Sequence, residues 1–200
     1  MDAKTFENLP EEKKQSILSA GISLFGQYGY EKTSISDIAK AAGISKAAVF
    51  HYFGTKENLF LYLVRHTRSA AVALFQEGTA DFFETMTGVV HAQFQLIKKH
   101  PGMFEFMRLV SEMIKTKALP SLMQIHDEHK TMSEDIVFVH VNWDKFRDEY
   151  DRPTIMNLTS WVAISCMTQY RETLSPDELL IEAKRYFEIL KTALYKPEYL

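Results

Sequence analysis

The side chains with the clearest chemical potential lie between residues 34 and 53, in the segment SISDIAKAAGISKAAVFHYF. One side of a short predicted helix there carries Lys46, Ala47, Phe50 and His51, and the other carries Val49 and Phe53. A lysine can reach a guanine edge or a phosphate, while small and aromatic apolar groups can contact the thymine methyl. This combination is typical of a helix that enters the major groove of DNA.

Two short helices joined by a glycine are predicted to position these side chains. Ser34 and Asp37 match the N-cap and N3 positions of a capping box, so a first helix is expected to begin there. Gly43 can adopt the left-handed conformation that ends it, and Ser45 can cap a second helix over residues 46–52. Two short helices around a tight glycine turn form a helix-turn-helix. Such a pattern also fits a helix pair in an unrelated bundle, because short helices broken by glycine are common.

The segment from Phe25 to Leu59, reading FGQYGYEKTSISDIAKAAGISKAAVFHYFGTKENL, resembles the DNA-binding head of the TetR/AcrR family of bacterial transcriptional regulators. The resemblance rests on Phe25, Gly29, Tyr30, Thr33, the IAKAAGIS segment, His51, Tyr52, Phe53, Lys56 and Leu59. It implies phosphate contacts from Thr33, Tyr52 and Lys56, and base-edge contacts from Lys46 and Ala47. The family usually has tyrosine where this chain has Phe50, so an apolar contact is expected there in place of a hydroxyl contact. The predicted DNA-binding residues are Thr33, Ser45, Lys46, Ala47, Phe50, His51, Tyr52 and Lys56.

The remainder of the chain is predicted to be helical almost throughout, which gives an all-α fold class. Expected helices span residues 10–28, 56–76, 80–99, 103–117, 121–140, 153–172 and from 176 onward. The ambiguous Ile136–Val141 run is assigned to helix from its context. We predict a helix-turn-helix DNA-binding domain over residues 1–55 and a helical ligand-binding and dimerisation domain over residues 56–200, with the helix from residue 56 joining the two.

The last two helices carry an apolar surface that is too wide for one neighbour. Ser175, Pro176 and Glu178 match a capping box with proline at the first helical position, so the start of the final helix is well defined. Burial between two subunits in a four-helix bundle would satisfy both helices and would give two recognition helices the symmetry of a palindromic operator. TetR-like proteins dimerise in this way. The predicted interface residues are Val162, Cys166, Ala183, Tyr186 and Leu190. The alternative is that these helices complete the core of a monomer.

Methionine and aromatic residues are concentrated between residues 86 and 123, on helices expected to surround the middle of the second domain. Methionine adapts its shape and aromatic rings supply broad apolar walls, so a site for a small lipophilic effector is predicted. The predicted ligand-binding residues are Phe94, Phe104, Met107, Met123 and Trp161. For any one of them, an ordinary core position is the simpler interpretation. Glu105 and Glu112 on one helix could instead select a cation.

Several classes of protein and site are disfavoured. The charged N-terminus does not read as a signal peptide and no run is long and uncharged enough to span a bilayer, so a cytoplasmic location is expected. Cys166 is the single cysteine and lies in an apolar stretch, which predicts a buried, inert thiol.

A metal site is conceivable at His126, Asp127, His129 and His140, but the charged neighbours of these residues suggest a solvated face. With no phosphate loop, nucleophile elbow or Cys/His arrangement, we predict no metal, no cofactor and no enzymatic activity.

Net charge is the main objection to a role on DNA. The chain carries a formal charge of -3, whereas nucleic-acid-binding proteins are often basic. Between residues 31 and 56, however, lysines outnumber acids, so the head itself is modestly basic.

Taken together, these features predict a homodimeric, ligand-responsive repressor that binds double-stranded DNA at a palindromic operator. The alternative is a TetR-like co-regulator or lipophile carrier that does not bind DNA, which would enrich no palindrome from random duplexes.

Overall fold

The computed structural model describes residues 3–75, 78–169 and 175–200. These residues form α1 (Ala3–Glu7), α2 (Glu11–Lys32), α3 (Ile35–Ala41), α4 (Lys46–Phe53), α5 (Lys56–Leu74), α6 (Phe82–Lys99), α7 (Met103–Lys115), α8 (Pro120–Val137), α9 (Arg152–Gln169) and α10 (Pro176–Leu194). Two short 3-10 helices and one isolated antiparallel bridge, between Phe146 and Tyr195, complete the regular structure of this part of the chain. The predicted all-α class is confirmed. None of the helices in the described ranges has both the length and the apolar composition that crossing a bilayer requires.

The helices assemble into two compact units. The N-terminal unit comprises Met1–Ala70 and Leu96–Lys130, and the C-terminal unit comprises Ala71–Gln95 and Thr131–Leu200. The helices α5, α6 and α8 each supply residues to both units. The predicted division at residue 56 separates a DNA-binding from a ligand-binding and dimerisation segment, and it does not coincide with the boundary between the two compact units. That functional division stays a prediction.

The last two helices begin at or within one residue of their predicted starts. Ser175 accepts a hydrogen bond from the backbone N–H of Glu178, and the Glu178 carboxylate accepts one from the backbone N–H of Ser175, so the predicted capping box is confirmed. Helix α9 begins at Arg152, one residue before its expected start, because Asp151 accepts a backbone N–H of its first turn at 2.8 Å. Its expected end near Glu172 lies outside the described residues.

Assigning the whole Ile136–Val141 run to a helix is wrong, because α8 ends at Val137. The next residue, Phe138, is buried and stacks on Phe82 with ring centroids 5.5 Å apart. The same ring lies 6.3 Å from that of Trp143. The contact with Phe82 joins segments that are distant in the chain, so no local pattern of the sequence encodes it.

Helix α1 lies in the charged N-terminal segment, where no helix is predicted. Its Phe6 side chain is fully buried, and the ring centroid lies 4.9 Å from that of Phe53 and 5.2 Å from that of Tyr62. One aromatic residue in a polar segment produces no helical periodicity, which is why the pattern does not reveal it. In the fold, α1 packs against α4 and completes the core on which α4 rests.

Two glycines let α2 and α7 approach each other at backbone distance. A Cβ atom on Gly26 would lie 2.8 Å from the carbonyl oxygen of Gly102, and one on Gly102 would lie 2.8 Å from Cα of Ser23. Real Cβ atoms do not make contacts this short, so larger residues would force the helices apart. Because α2 also packs against α3, α7 is held directly against the helix that supports the helix-turn-helix.

Asp81 organises the polar contacts of the C-terminal unit. Its Oδ1 accepts the backbone N–H groups of Phe83 and Glu84 at 3.0 and 3.2 Å, and its Oδ2 pairs with Lys191 at 2.9 Å and Lys145 at 3.4 Å. Burial raises the pKa of Asp81, but hydrogen bonds from Lys191 and from the Glu84 N–H outweigh burial and leave the pKa lowered. The carboxylate thus links the start of α6 to α10.

Replacing Phe6 with alanine is expected to lower the free energy of unfolding by about 3–5 kcal/mol, because a fully buried ring is lost and leaves a cavity. Urea denaturation at one fixed protein concentration, followed by circular dichroism, measures the change. The matched control is Phe50→Ala, since Phe50 is 43% exposed and its loss should cost under about 1 kcal/mol. Equal stability of Phe6→Ala and the natural protein would show that α1 does not belong to this core.

Candidate nucleic-acid interface

The first helix of the helix-turn-helix, α3, is fixed by its cap and by its buried face. The Ser34 hydroxyl oxygen accepts the backbone N–H of Asp37 at 3.1 Å, as predicted for the N-cap. Ile35, Ile38 and Ala39 are buried. The orientation of α3 is therefore set by its apolar side, and its polar residues remain outside.

The corner between α3 and α4 has the geometry that its glycine and serine predict. Gly43 adopts a φ of 67°, a left-handed value that an L side chain rarely takes. The backbone N–H of Ile44 donates to the carbonyl of Ala39 at 3.0 Å, which closes the end of α3. Ser45 then accepts the backbone N–H of Ala48 at 3.1 Å and caps α4. The predicted helix-turn-helix is confirmed.

Helix α4 has one buried face and one exposed face, as its spacing predicts. Val49 and Phe53 are fully buried. The exposed residues are Lys46, Ala47, Phe50 and His51. Phe50 is 43% exposed, and Nζ of Lys46 lies 5.8 Å from the centre of its ring. A cation, a small apolar group and a broad apolar ring therefore share one accessible surface.

The three side chains predicted to contact phosphate have defined partners within the head. Thr33 is buried, and its hydroxyl is within 2.7 Å of the Gly29 carbonyl and 3.0 Å of the Leu24 carbonyl. The ring of Tyr52 is only 8% exposed and lies edge-on to that of Phe6 at 6.0 Å. Both residues therefore support the head, and their phosphate contacts stay predictions.

Lys56, the third of these residues, is the first residue of α5, and its side chain reaches the C-terminal end of α2. Its Nζ donates to the carbonyls of Tyr30 and Glu31 at 3.0 and 3.3 Å and lies 4.5 Å from the centre of the Tyr30 ring. Burial, with the nearby charges of Glu57 and Glu31, raises the pKa of the Tyr30 hydroxyl, so it stays protonated at neutral pH. In this position the lysine neutralises the negative end of a helix, and its phosphate contact stays a prediction.

The predicted ligand residues occupy different environments. Phe104 is buried in α7, while Met107 in α7 and Met123 in α8 are partly exposed; all three belong to the N-terminal unit. Phe94 is buried in the C-terminal unit. Trp161 is 64% exposed on the outer face of α9, so its position gives no support to a pocket role.

The predicted dimer residues divide between the inside and the outside of the C-terminal unit. Cys166 and Ala183 are buried against their own chain, and the thiol is buried as predicted. Burial and the charge of Glu182 raise the pKa of Cys166. Val162 and Leu190 are partly exposed, and Tyr186 is 38% exposed.

A different set of apolar residues on α9 and α10 faces outward, and none of them is among the predicted interface residues. The exposed fractions are 64% for Trp161, 40% for Ile164, 68% for Ile181 and 58% for Ile189. Ile181 and Ile189 lie two turns apart on α10, on the same side of the helix. A wide apolar stripe in the sequence indicates that two faces of a helix are buried. It does not indicate which of the two packs against the chain's own core.

Comparison with known proteins places this site in a family. Residues 17–63, which include all of α3 and α4, match the model for bacterial regulatory proteins of the tetR family. The HTH-type transcriptional repressor AcnR of Corynebacterium glutamicum is 28% identical over 149 residues, covering 72% of this chain and 73% of AcnR. The HTH-type transcriptional regulator RutR of Escherichia coli is 36% identical over 70 residues, covering 35% of this chain and 33% of RutR.

A solved structure extends the likeness beyond the head. The TetR family transcription regulator from Marinobacter aquaeolei superposes with a TM-score of 0.69 and 19% identity, over 93% of this chain and 97% of that one. At this identity the likeness shows a shared fold. The matched head, the curated relatives and the shared fold agree: residues 17–63 match the tetR family of bacterial regulatory proteins, and the chain is similar to TetR-family regulators in sequence and in fold.

Proposed function

We propose that this regulator is a homodimeric repressor that binds a palindromic operator and is released or remodelled by a small lipophilic effector. The observation that carries the proposal is the exposed face of α4, which presents Lys46, Ala47, Phe50 and His51 from a helix anchored by two fully buried side chains. An exposed phenylalanine ring leaves apolar surface in water, and contact with an apolar edge of a partner would bury it. The thymine methyl in the major groove is such an edge.

The chemistry of this face suits direct readout. Ala47 lets the helix backbone approach the base pairs, and Lys46, one residue earlier, can reach a guanine or a phosphate. Ser45 and His51 flank them with polar groups. Lys56 would exchange its two carbonyl acceptors for a phosphate, which is a stronger, charge-assisted contact.

Dimerisation is supported by the outward apolar residues of α9 and α10. Trp161, Ile164, Ile181, Tyr186 and Ile189 are all exposed in the single chain. Burying them against a second copy would remove apolar surface from water, and a two-fold axis would present two recognition helices to two half-sites. We therefore assign the interface to this set, with Val162 and Leu190 at its edge.

Repression is supported by a relative, and effector binding by the placement of apolar residues. AcnR is named a repressor, and the present chain covers most of its length. For the effector, Phe104, Met107 and Met123 remain candidates because they lie on α7 and α8 in the N-terminal unit, which also contains the head. A protein of this kind acts on chromosomal DNA, so we propose a cytoplasmic location.

Selection of random duplexes by the purified protein is expected to enrich a palindrome. The variant for comparison is Ala47→Glu, which places a carboxylate in the first turn of α4. There the carboxylate interacts favourably with the helix dipole but repels DNA phosphates. We expect an unchanged melting temperature and at least about tenfold weaker operator binding. Enrichment of no sequence by the natural protein would favour the co-regulator or carrier.

Lys46→Ala is expected to weaken operator binding and, if the lysine contacts phosphate, to reduce the slope of log K against log salt by about one. Fluorescence anisotropy over a salt series measures both quantities. Lys115→Ala is the control, because this exposed lysine ends α7, outside the helix-turn-helix. Unchanged affinity across the series would remove Lys46 from the site.

A double substitution, Ile181→Glu with Ile189→Glu, is expected to convert the dimer into monomers, because charges on both turns of α10 cannot be buried at a symmetric interface. Sedimentation velocity measures the change. Lys184→Glu with Thr192→Glu is the control, since both residues are exposed on the same helix and neither is apolar. A natural protein that sediments as a monomer, or a double variant that stays dimeric, would contradict the assignment.

A further inference from the structure

Arg68 of α5 is a partly buried cation whose partners are neutral. Its Nη1 donates to the backbone carbonyl of Ile125 at 3.3 Å, and its Nη2 donates to Nδ1 of His126 at 3.3 Å. Among the described residues, no carboxylate forms an ion pair with this guanidinium. Burial lowers the pKa of Arg68.

The contacts to Ile125 and His126 use two of the N–H donors of the guanidinium. The group carries five N–H donors in a planar fork that fits a carboxylate in a bidentate manner. Its two contacts are long and involve neutral acceptors, whereas charge-assisted pairs are about 2.7–2.9 Å. A buried cation is costly unless an anion accompanies it. Asp81 in the C-terminal unit shows the usual solution, since that charge is paired with two lysines.

The two helices that carry this contact also bury apolar side chains beside it in sequence. Val64, one turn earlier on α5, is buried, and Leu122 and Ile125 on α8 are fully buried. The same unit contains the buried Phe104 and Met113 of α7. A molecule held here would meet the guanidinium of Arg68 and the imidazole of His126 beside these apolar groups.

We propose that Arg68 binds the carboxylate of an amphipathic organic acid, a small molecule with one acidic head and an apolar body. The inference rests on the proposed function and specifies the chemical class of its effector. The carboxylate replaces the long contacts to α8 with a bidentate, charge-assisted pair, and the apolar body is buried among side chains of α7 and α8. An alcohol with the same body lacks the charge that Arg68 requires.

The position of Arg68 also gives the acid a physical route to the head. Helix α5 contacts α8 through Arg68 and through Glu57, whose carboxylate accepts a hydrogen bond from the Ser121 hydroxyl. The first residue of the same helix, Lys56, donates to the carbonyls of Tyr30 and Glu31 at the end of α2. A ligand that takes Arg68 away from α8 changes the support of the helix on which these head contacts depend.

The experiment compares acids with an alcohol, using the full-length protein. Calorimetry and thermal melting are carried out with hexanoate, octanoate, decanoate, benzoate, inorganic phosphate and 1-octanol. The variants are Arg68→Gln, which removes the charge, Arg68→Lys, which keeps the charge without the fork, and Arg65→Gln, an exposed control one turn earlier. At least one organic acid should bind and stabilise the natural protein more than 1-octanol does. Arg68→Gln should weaken that binding by about tenfold or more, and Arg65→Gln should leave it unchanged.

A measurement without ligand tests the same assignment. Because no carboxylate of the described residues pairs with Arg68, Arg68→Gln should melt at the same temperature as the natural protein or higher. A clear drop would show a structural role and overturn the proposal. So would acids that bind no better than 1-octanol, acid binding that Arg68→Gln leaves intact, or phosphate that binds as tightly as the best organic acid.

The outcomes for the acid and for DNA are separable. Arg68-dependent acid binding by a protein that enriches no palindrome would sustain the anion site and refute the proposed function. A palindrome bound by a protein that ignores every acid would sustain the function and refute the anion site. If both hold, the acid should shift operator binding in the natural protein and lose that effect in Arg68→Gln.

Discussion

Burial of Val49 and Phe53 is the constraint on which the rest of the head depends. Each fully buried side chain of this kind contributes about 1.5–3 kcal/mol, and together they fix the rotation of α4 about its axis. Phe53 packs against Phe6 and Tyr62, so α1 and α5 hold the same helix. Once that rotation is fixed, Lys46, Ala47, Phe50 and His51 are held on the exposed face, where they are available for recognition.

The helices that support α4 also extend into the part of the chain where an effector is expected. Helix α2 carries the head and is in backbone contact with α7 through Gly26 and Gly102. Helix α5 begins at the end of α2 and later presents Arg68 to α8. Rigid helices packed at such short range do not deform gradually, so a shift at one end is transmitted as a change of position at the other. Any effect on DNA is limited by the difference in ligand affinity between the two positions.

Features set by neighbouring residues could be predicted from the sequence. The caps at Ser34, Ser45 and Ser175 and the left-handed Gly43 each need only four or five consecutive residues, and all are observed. Features set by distant residues could not. Helix α1 depends on Phe6 meeting aromatic residues of α4 and α5, and the end of α8 depends on Phe138 meeting Phe82. The supporting roles of Thr33 and Lys56 are likewise invisible until the end of α2 lies beside them.

The sequence by itself determined the all-α class, the helix-turn-helix and the two faces of α4, because helical periodicity and capping are local and strong. Only the tertiary structure decided which apolar residues of α9 and α10 face outward, placing Cys166 and Ala183 inside and Ile181 and Ile189 outside. It also left Arg68 without a described acidic partner. The physical reason is the same in both cases: periodicity gives the width of an apolar face and composition gives the number of charges, but burial and pairing depend on which segments fold against each other.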